Sequence, residues 1–253
     1  MSLWPPDALS WRRGIVALLL AASLAPVSAR AGDPWDKKPE QWTLKDVTAI
    51  LFDSPWSPAK FSVGIEFKEI RENPITKERV EKPHGVRTIE GPQVAWDREL
   101  PARPTVRWWS SRTLRLAEQR LAQLQGRAPG DAPLKAEPID YFVIAVEGSE
   151  PLRILRDAED DLKPAVYLEL PNGMPLDAID VQFREGTLAG EDRVLFFFLR
   201  KINGVPTIPP DTSRVVFRCR ATAKTHRGQE PNSLDLRVTF EPRKMRSANK
   251  PDF

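Results

Sequence analysis

Residues with reactive side chains are sparse in this chain and far apart. Histidine occurs only at His84 and His226, both in segments without apolar periodicity. They read as loop residues open to solvent, too distant in sequence to suggest a metal site or a Ser-His-Asp arrangement. The single cysteine, Cys219, alternates with Phe217 and Ala221, so its thiol points inward on a strand as a small hydrophobe. Asp157, Glu159, Asp160 and Asp161 form an acidic run. A calcium loop needs ligands at regular offsets around a turn glycine, which the run lacks, so it reads as a solvated helix end. No spacing among the acidic residues singles out a carboxylate pair for sugar hydrolysis. No catalytic, metal or cofactor-binding residue is assigned on these grounds, and no cofactor is implied.

Tryptophan carries the clearest functional signal. Beyond residue 31 all six indoles, Trp35, Trp42, Trp56, Trp96, Trp108 and Trp109, precede residue 110, whereas eight of the eleven phenylalanines follow residue 140. An indole held on a rigid turn offers a flat apolar face for stacking on a sugar or anchoring a partner protein. Trp35, Trp56 and Trp109 are the candidate partner-binding residues. The competing reading puts Trp42, Trp56 and Trp108 in the core, pinning helices to a sheet, and leaves Trp35 and Trp109 at the surface.

The elements that would position these side chains follow from periodicity. Thr43 and Asp46 resemble a capping box ahead of Leu44, Val47, Ile50 and Leu51, which predicts a short helix over 44–52 that stops before Ser54-Pro55-Trp56. Phe61, Val63, Ile65 and Phe67 alternate with polar residues as in a strand with one wet face. Residues 71–103, charged and bearing four prolines, read as a long surface loop or extended ribbon. A short strand from Thr105 to Trp109 leads into a second helix with its stripe at Leu114, Ala117, Leu121 and Leu124, capped by Ser110 or Ser111 and ended by Gly126. Ile139–Val146 and Val194–Leu199 are apolar on nearly both faces, so they should be central strands covered on both sides, with the two helices as the obvious cover. A weaker helix over 151–161 and strands over 165–170 and 179–183 come between. Val215–Ala223 and Leu234–Phe240 alternate most regularly and predict a hairpin across the polar loop 224–233. The expected fold is α+β and mostly β, an antiparallel sheet or sandwich covered by two short amphipathic helices.

Residues 1–31 read as a cleavable signal peptide. Arg12-Arg13 precedes an apolar run from Gly14 to Leu24, followed by small residues that permit cleavage after Ala29 or Ala31. The run falls well short of the roughly 20 residues needed to cross a bilayer core, so no permanent anchor is expected. A lipoprotein would carry a cysteine just after the cut, and Cys219 is far from it. Cleavage removes three of the 38 basic and one of the 35 acidic residues, lowering the formal charge from +3 to +1. A near-neutral chain has no long-range field for nucleic acid. Residues 32–253 are expected to form one β-rich domain, held by packing because a lone cysteine forms no intrachain disulfide.

Several short segments resemble a group of uncharacterised secreted bacterial proteins, found especially in acidobacteria. They are Asp33-Pro34-Trp35, Gln41-Trp42-Thr43, Asp53-Ser54-Pro55-Trp56, Val106-Arg107-Trp108, Val194–Arg200 and Phe240–Met245. Trp109 departs from the group's pattern, which more often has an acidic residue there. The resemblance implies export but supplies no activity and no catalytic residue.

The leading expectation is a periplasmic or extracellular, non-enzymatic module that binds a protein or cell-envelope partner. The alternatives are a cell-wall or polysaccharide hydrolase using Asp/Glu, and a structural β-module of a surface assembly. An exposed tryptophan favours the first, a carboxylate pair beside a tryptophan the second, and an uncovered strand edge the third.

Overall fold

The computed structural model describes residues 32–72, 79–89, 104–158, 162–185, 192–223 and 233–253. From Asp33 onward they form one compact unit. Residues 1–31, His226 and the acidic residues Glu159–Asp161 lie outside the described residues.

Two 3-10 turns, Pro34–Asp36 and Pro39–Gln41, lead into helix α1 (Leu44–Phe52). Its start is the expected capping box: the Asp46 amide donates to Thr43 Oγ1 at 3.2 Å, and the Thr43 amide donates to Asp46 Oδ2 at 3.0 Å. Strands β1 (Ser62–Glu72) and β2 (Arg79–Ile89) pair antiparallel, with a register shift between Glu66 and Phe67. The 71–103 segment is therefore a ribbon in the part described, and His84 sits in a strand opposite Phe67 rather than in a loop. Strand β2 is an edge strand, where a proline such as Pro83 breaks no central ladder. Pro83 and the strand's charges mask it in a pattern reading.

Next come β3 (Thr105–Trp108), α2 (Arg112–Leu124), β4 (Tyr141–Glu147), α3 (Ser149–Asp157), α4 (Leu162–Ala165), β5 (Val166–Glu169), β6 (Pro175–Asp177), β7 (Asp180–Arg184) and β8 (Arg193–Leu199). A small hairpin, β9 (Lys201–Ile202) and β10 (Val205–Pro206), precedes β11 (Val215–Thr222) and β12 (Ser233–Phe240). A last hairpin, β13 (Arg246–Ser247) and β14 (Lys250–Pro251), ends the described chain with Asp252 and Phe253.

These strands make a six-stranded sheet, β2-β1-β12-β11-β5-β6, and a four-stranded sheet, β3-β4-β8-β7, antiparallel throughout. The fold is α+β and mostly β. The sheets meet through aromatic contacts, Phe196 against Phe217 at 5.6 Å and Trp108 against Phe240 at 5.2 Å between ring centroids. Helix α3 packs between them against β4, β8, β11 and β12. Apolar β4 and β8 are the central pair of the four-stranded sheet, matched from Tyr141 opposite Leu199 to Glu147 opposite Arg193. Their inner face is covered by the second sheet and α3, while α1 and α2 pack on each other and add Val47, Ile50, Leu51, Leu114 and Ala117 to the same core. The 215–240 hairpin has the expected facing, with Val215, Phe217, Cys219, Ala221, Leu234, Leu236, Val238 and Phe240 all buried.

The chain's last described residues are tied into this core. The Asp252 carboxylate accepts from Ser111 Oγ at 2.9 Å and from the amides of Arg112 and Thr113 at 2.7 and 2.9 Å. It thus caps α2 beside Ser111, whose own Oγ accepts from the Leu114 amide. Phe253 stacks on Phe142 at 5.8 Å.

Candidate functional site

Antiparallel register assigns each outward side chain of the four-stranded sheet to a row. Arg107, Ala145, Leu195 and Gln182 share one row, and Thr105, Glu147, Arg193 and Arg184 the next. A strand's alternation puts Val106 and Trp108 in the core and turns Arg107 to the opposite face, where Trp109 packs with Val143, Ala145 and Leu195. Onto this face α2 lowers Glu118.

The result is a buried quartet of charges. Arg107, Glu118, Glu147 and Arg193 expose only 5, 9, 3 and 6% of their surface. Glu118 Oε1 lies 3.1 Å from Arg193 Nη1 and 3.7 Å from Arg107 Nη1. Glu147 Oε1 is 3.4 Å from Arg193 Nε, and Arg107 Nη1 donates directly to Glu147 Oε2. Arg107 Nε donates to the Leu51 carbonyl of α1 at 3.0 Å. The guanidiniums also lie on rings, Arg193 over Trp109 at 4.3 Å and Arg107 over Phe52 at 4.9 Å. Two cations and two anions balance formally. Burial nevertheless pushes the Glu118 carboxyl up to about 7, against the pull of Arg193 and Arg107, and the Glu147 charge adds to the push.

Above Glu118 opens a cleft of about 460 Å³, a size ordinary for a small-molecule site. One wall is α2, with Arg115, Glu118, Gln119, Ala122 and Gln123, another is Trp109, and the third is the irregular strap 127–140. The strap starts where Gly126, at φ 69°, turns the chain away from α2 and lets the Arg127 amide donate back to the Ala122 carbonyl at 2.8 Å. Three α2 side chains spaced one turn apart then grip its backbone. Arg115 Nη1 donates to the Glu137 carbonyl at 2.6 Å, and Gln123 Nε2 donates to the Ala132 carbonyl at 2.7 Å. Between them the Gln119 amide pairs with the backbone of Lys135 both ways.

The candidate indoles separate cleanly. Trp56 is fully buried, which corrects its place among the partner-binding candidates: it has no free face, and its Nε1 donates to the Asp252 carbonyl. Trp42 and Trp108 are core residues as well. Trp35 is partly buried and packs edge-on against Trp56 at 5.4 Å. Trp109 alone among them lines the cleft. Trp96 lies outside the described residues. Cys219 is buried with no exposed surface, and burial pushes its thiol well above the ordinary range.

Among the described residues no group of three or more His, Cys, Asp or Glu side chains converges. No helix among them is long and apolar enough to cross a membrane. The quartet escaped the sequence reading, although Glu118 left a trace: it falls four residues after Leu114, inside the apolar stripe. No protein-family model, no curated protein and no solved structure matches the chain.

Proposed function

We propose that this chain is an exported, non-enzymatic binding module, working in the periplasm or outside the cell, that takes a protein or cell-envelope partner at the cleft beside Trp109. The observation behind this reading is the placement of Trp109. Its neighbour Trp108 is spent on the core, while Trp109 turns to a cleft walled by α2 and the strap. A rigid, partly buried indole is a common anchor for a bound partner. The test is retention of envelope fractions on immobilised protein, compared between the unaltered chain and folded Trp109→Ala and Trp35→Ala variants. Loss with Trp109→Ala alone is the expected result. Equal retention by all three removes the cleft from the reading.

One observation favours a second reading, hydrolysis of a cell-wall or other polysaccharide. Glu118, a carboxyl held near neutrality, and the exposed Glu137 both line this Trp-walled cleft. Under it, Glu118→Gln lowers turnover of a cell-wall polysaccharide by about 10²- to 10⁴-fold. If the unaltered chain releases no reducing ends from such substrates, this second reading fails.

A further inference from the structure

The lining of the cleft restricts the chemistry of what it holds. The amides of Gln119 and Gln123 are engaged by the strap, so the remaining wall of Trp109, Ala122, Ala132 and Leu134 offers apolar surface. Against that apolar wall a bare sugar would find few free hydrogen-bond partners. Charge restricts it further. Arg193 already lies over the Trp109 ring, so the indole is a poor seat for a second cation. Arg115 is only half-buried by α2 and the strap, and its guanidinium donates to the carbonyls of Ser110, Ser111 and Glu137. Among the described residues no carboxylate forms an ion pair with it; Asp252 and Glu137 act on it from farther away. Lys135 stands exposed on the strap at the cleft. Among the charged residues that line the cleft, Arg115 and Lys135 stand beside Glu137 and Glu118, the latter already held by Arg193.

Resting on the binding-module reading, we infer that the cleft holds an anionic amphiphile, its apolar body against Trp109, Ala122 and Leu134 and its carboxylate or phosphate head toward Arg115 and Lys135. A long-chain carboxylate and a lipid phosphate share this chemistry. An amine of the same chain length does not.

Calorimetric titration of the compact unit with dodecanoate, dodecyl phosphate and dodecylammonium, each below its aggregation concentration, tests this. Either anion should bind at least about tenfold more tightly than the ammonium, and the better of the two identifies the head group. Lys135→Glu should weaken the anion roughly 3- to 10-fold, and Glu137→Gln should tighten it severalfold. Both sites are exposed, so neither change threatens the fold. Equal binding of the three amphiphiles, binding of none, or indifference to both substitutions overturns the inference. If no amphiphile binds while Trp109→Ala still abolishes retention of envelope fractions, the ligand class is wrong and the binding module stands. If the anions bind but envelope retention ignores Trp109, the partner reading fails instead.

Discussion

The four-stranded sheet presents two faces made by the same strands, one filled by apolar side chains and the other holding buried charges beside a small apolar cluster. Toward the six-stranded sheet stand Trp108, Phe142, Ile144, Phe196 and Phe198, all buried, with Trp108 edge-on to Phe142. Toward α2 stand Arg107, Glu147 and Arg193, equally dry but charged, with Glu118 closing over them. On the first face burial is favourable for every atom, at roughly 25 cal/mol per Å² of apolar surface. On the second each ion gives up several kcal/mol of hydration and regains it only through its partners. The inner face therefore holds the fold, and the outer face is an arrangement whose members depend on one another. That mutual dependence, set beneath a cleft, ties the state of the cleft to the charges under it.

The sharpest way to break the comparison is to remove one member from each face and then all members from one. Trp108→Ala on the inner face should cost about 3–5 kcal/mol in urea unfolding, since a large buried ring leaves a cavity that cannot collapse. Glu147→Ala on the outer face should cost a similar 3–5 kcal/mol, because it leaves two buried guanidiniums with Glu118 as the one remaining anion of the quartet. Replacing the whole quartet by apolar residues of similar volume should be neutral or stabilising by about 1–4 kcal/mol. No such rescue exists for the inner face. A quadruple variant much less stable than the parent would show that the quartet stabilises in its own right.

The two faces also differed in legibility, for the same physical reason. Apolar faces announce themselves as local periodicity: the alternation through Val215–Phe240, the capping box at Thr43 and Asp46, and the stripe on α2 can each be read within ten residues or so. Alternation alone separates Trp108 from Trp109, the step that assigns one indole to the core and the next to the cleft. The quartet has no such signature. Its hydrogen-bonded partners are 40 residues apart for Arg107 and Glu147 and 75 for Arg193 and Glu118, and each is a lone charge at its own place in the chain. Strand β2 is illegible for another reason, since Pro83 and its charges are those of an edge strand and look like loop. Helix α3, which fills the space between the sheets, read as the weaker helix because its pattern is short.

A smaller effect sharpens the contrast through pH. The ordinary value for a glutamate is 4.5, and in the folded chain Glu118 is raised to about 7 by burial. Below pH about 4.5 both states hold the proton, so stability does not change with pH through this group. Between about 4.5 and 7 the folded chain keeps a proton that the unfolded chain has lost. Stability from this group is therefore fully present below the window and declines as pH rises through it, by at most about 1.4 kcal/mol per pH unit. Urea midpoints at pH 5, 6, 7 and 8 should show that decline in the unaltered chain. In Glu118→Gln it should be flattened, with the variant gaining most at pH 8. Parallel curves for the two proteins would mean that the arginines, not burial, govern Glu118.

The smallest effect concerns the joint between the faces. Asp252 lies about 140 residues from the helix start it caps and holds the amides of Arg112 and Thr113 and the Ser111 hydroxyl. This contact holds the start of α2, the helix that carries both Glu118 and the cleft wall. Ser111 remains as a second cap, so Asp252→Ala should cost only about 1 kcal/mol in unfolding. Its larger consequence should be local. With the N-terminal turn of α2 loosened, amide exchange at Leu114–Glu118 should accelerate while the core strands β4 and β8 keep their protection. If protection is lost along β4 to the same extent, helix and sheet open as one cooperative unit. The quartet would then be as much part of the core as the aromatic face behind it.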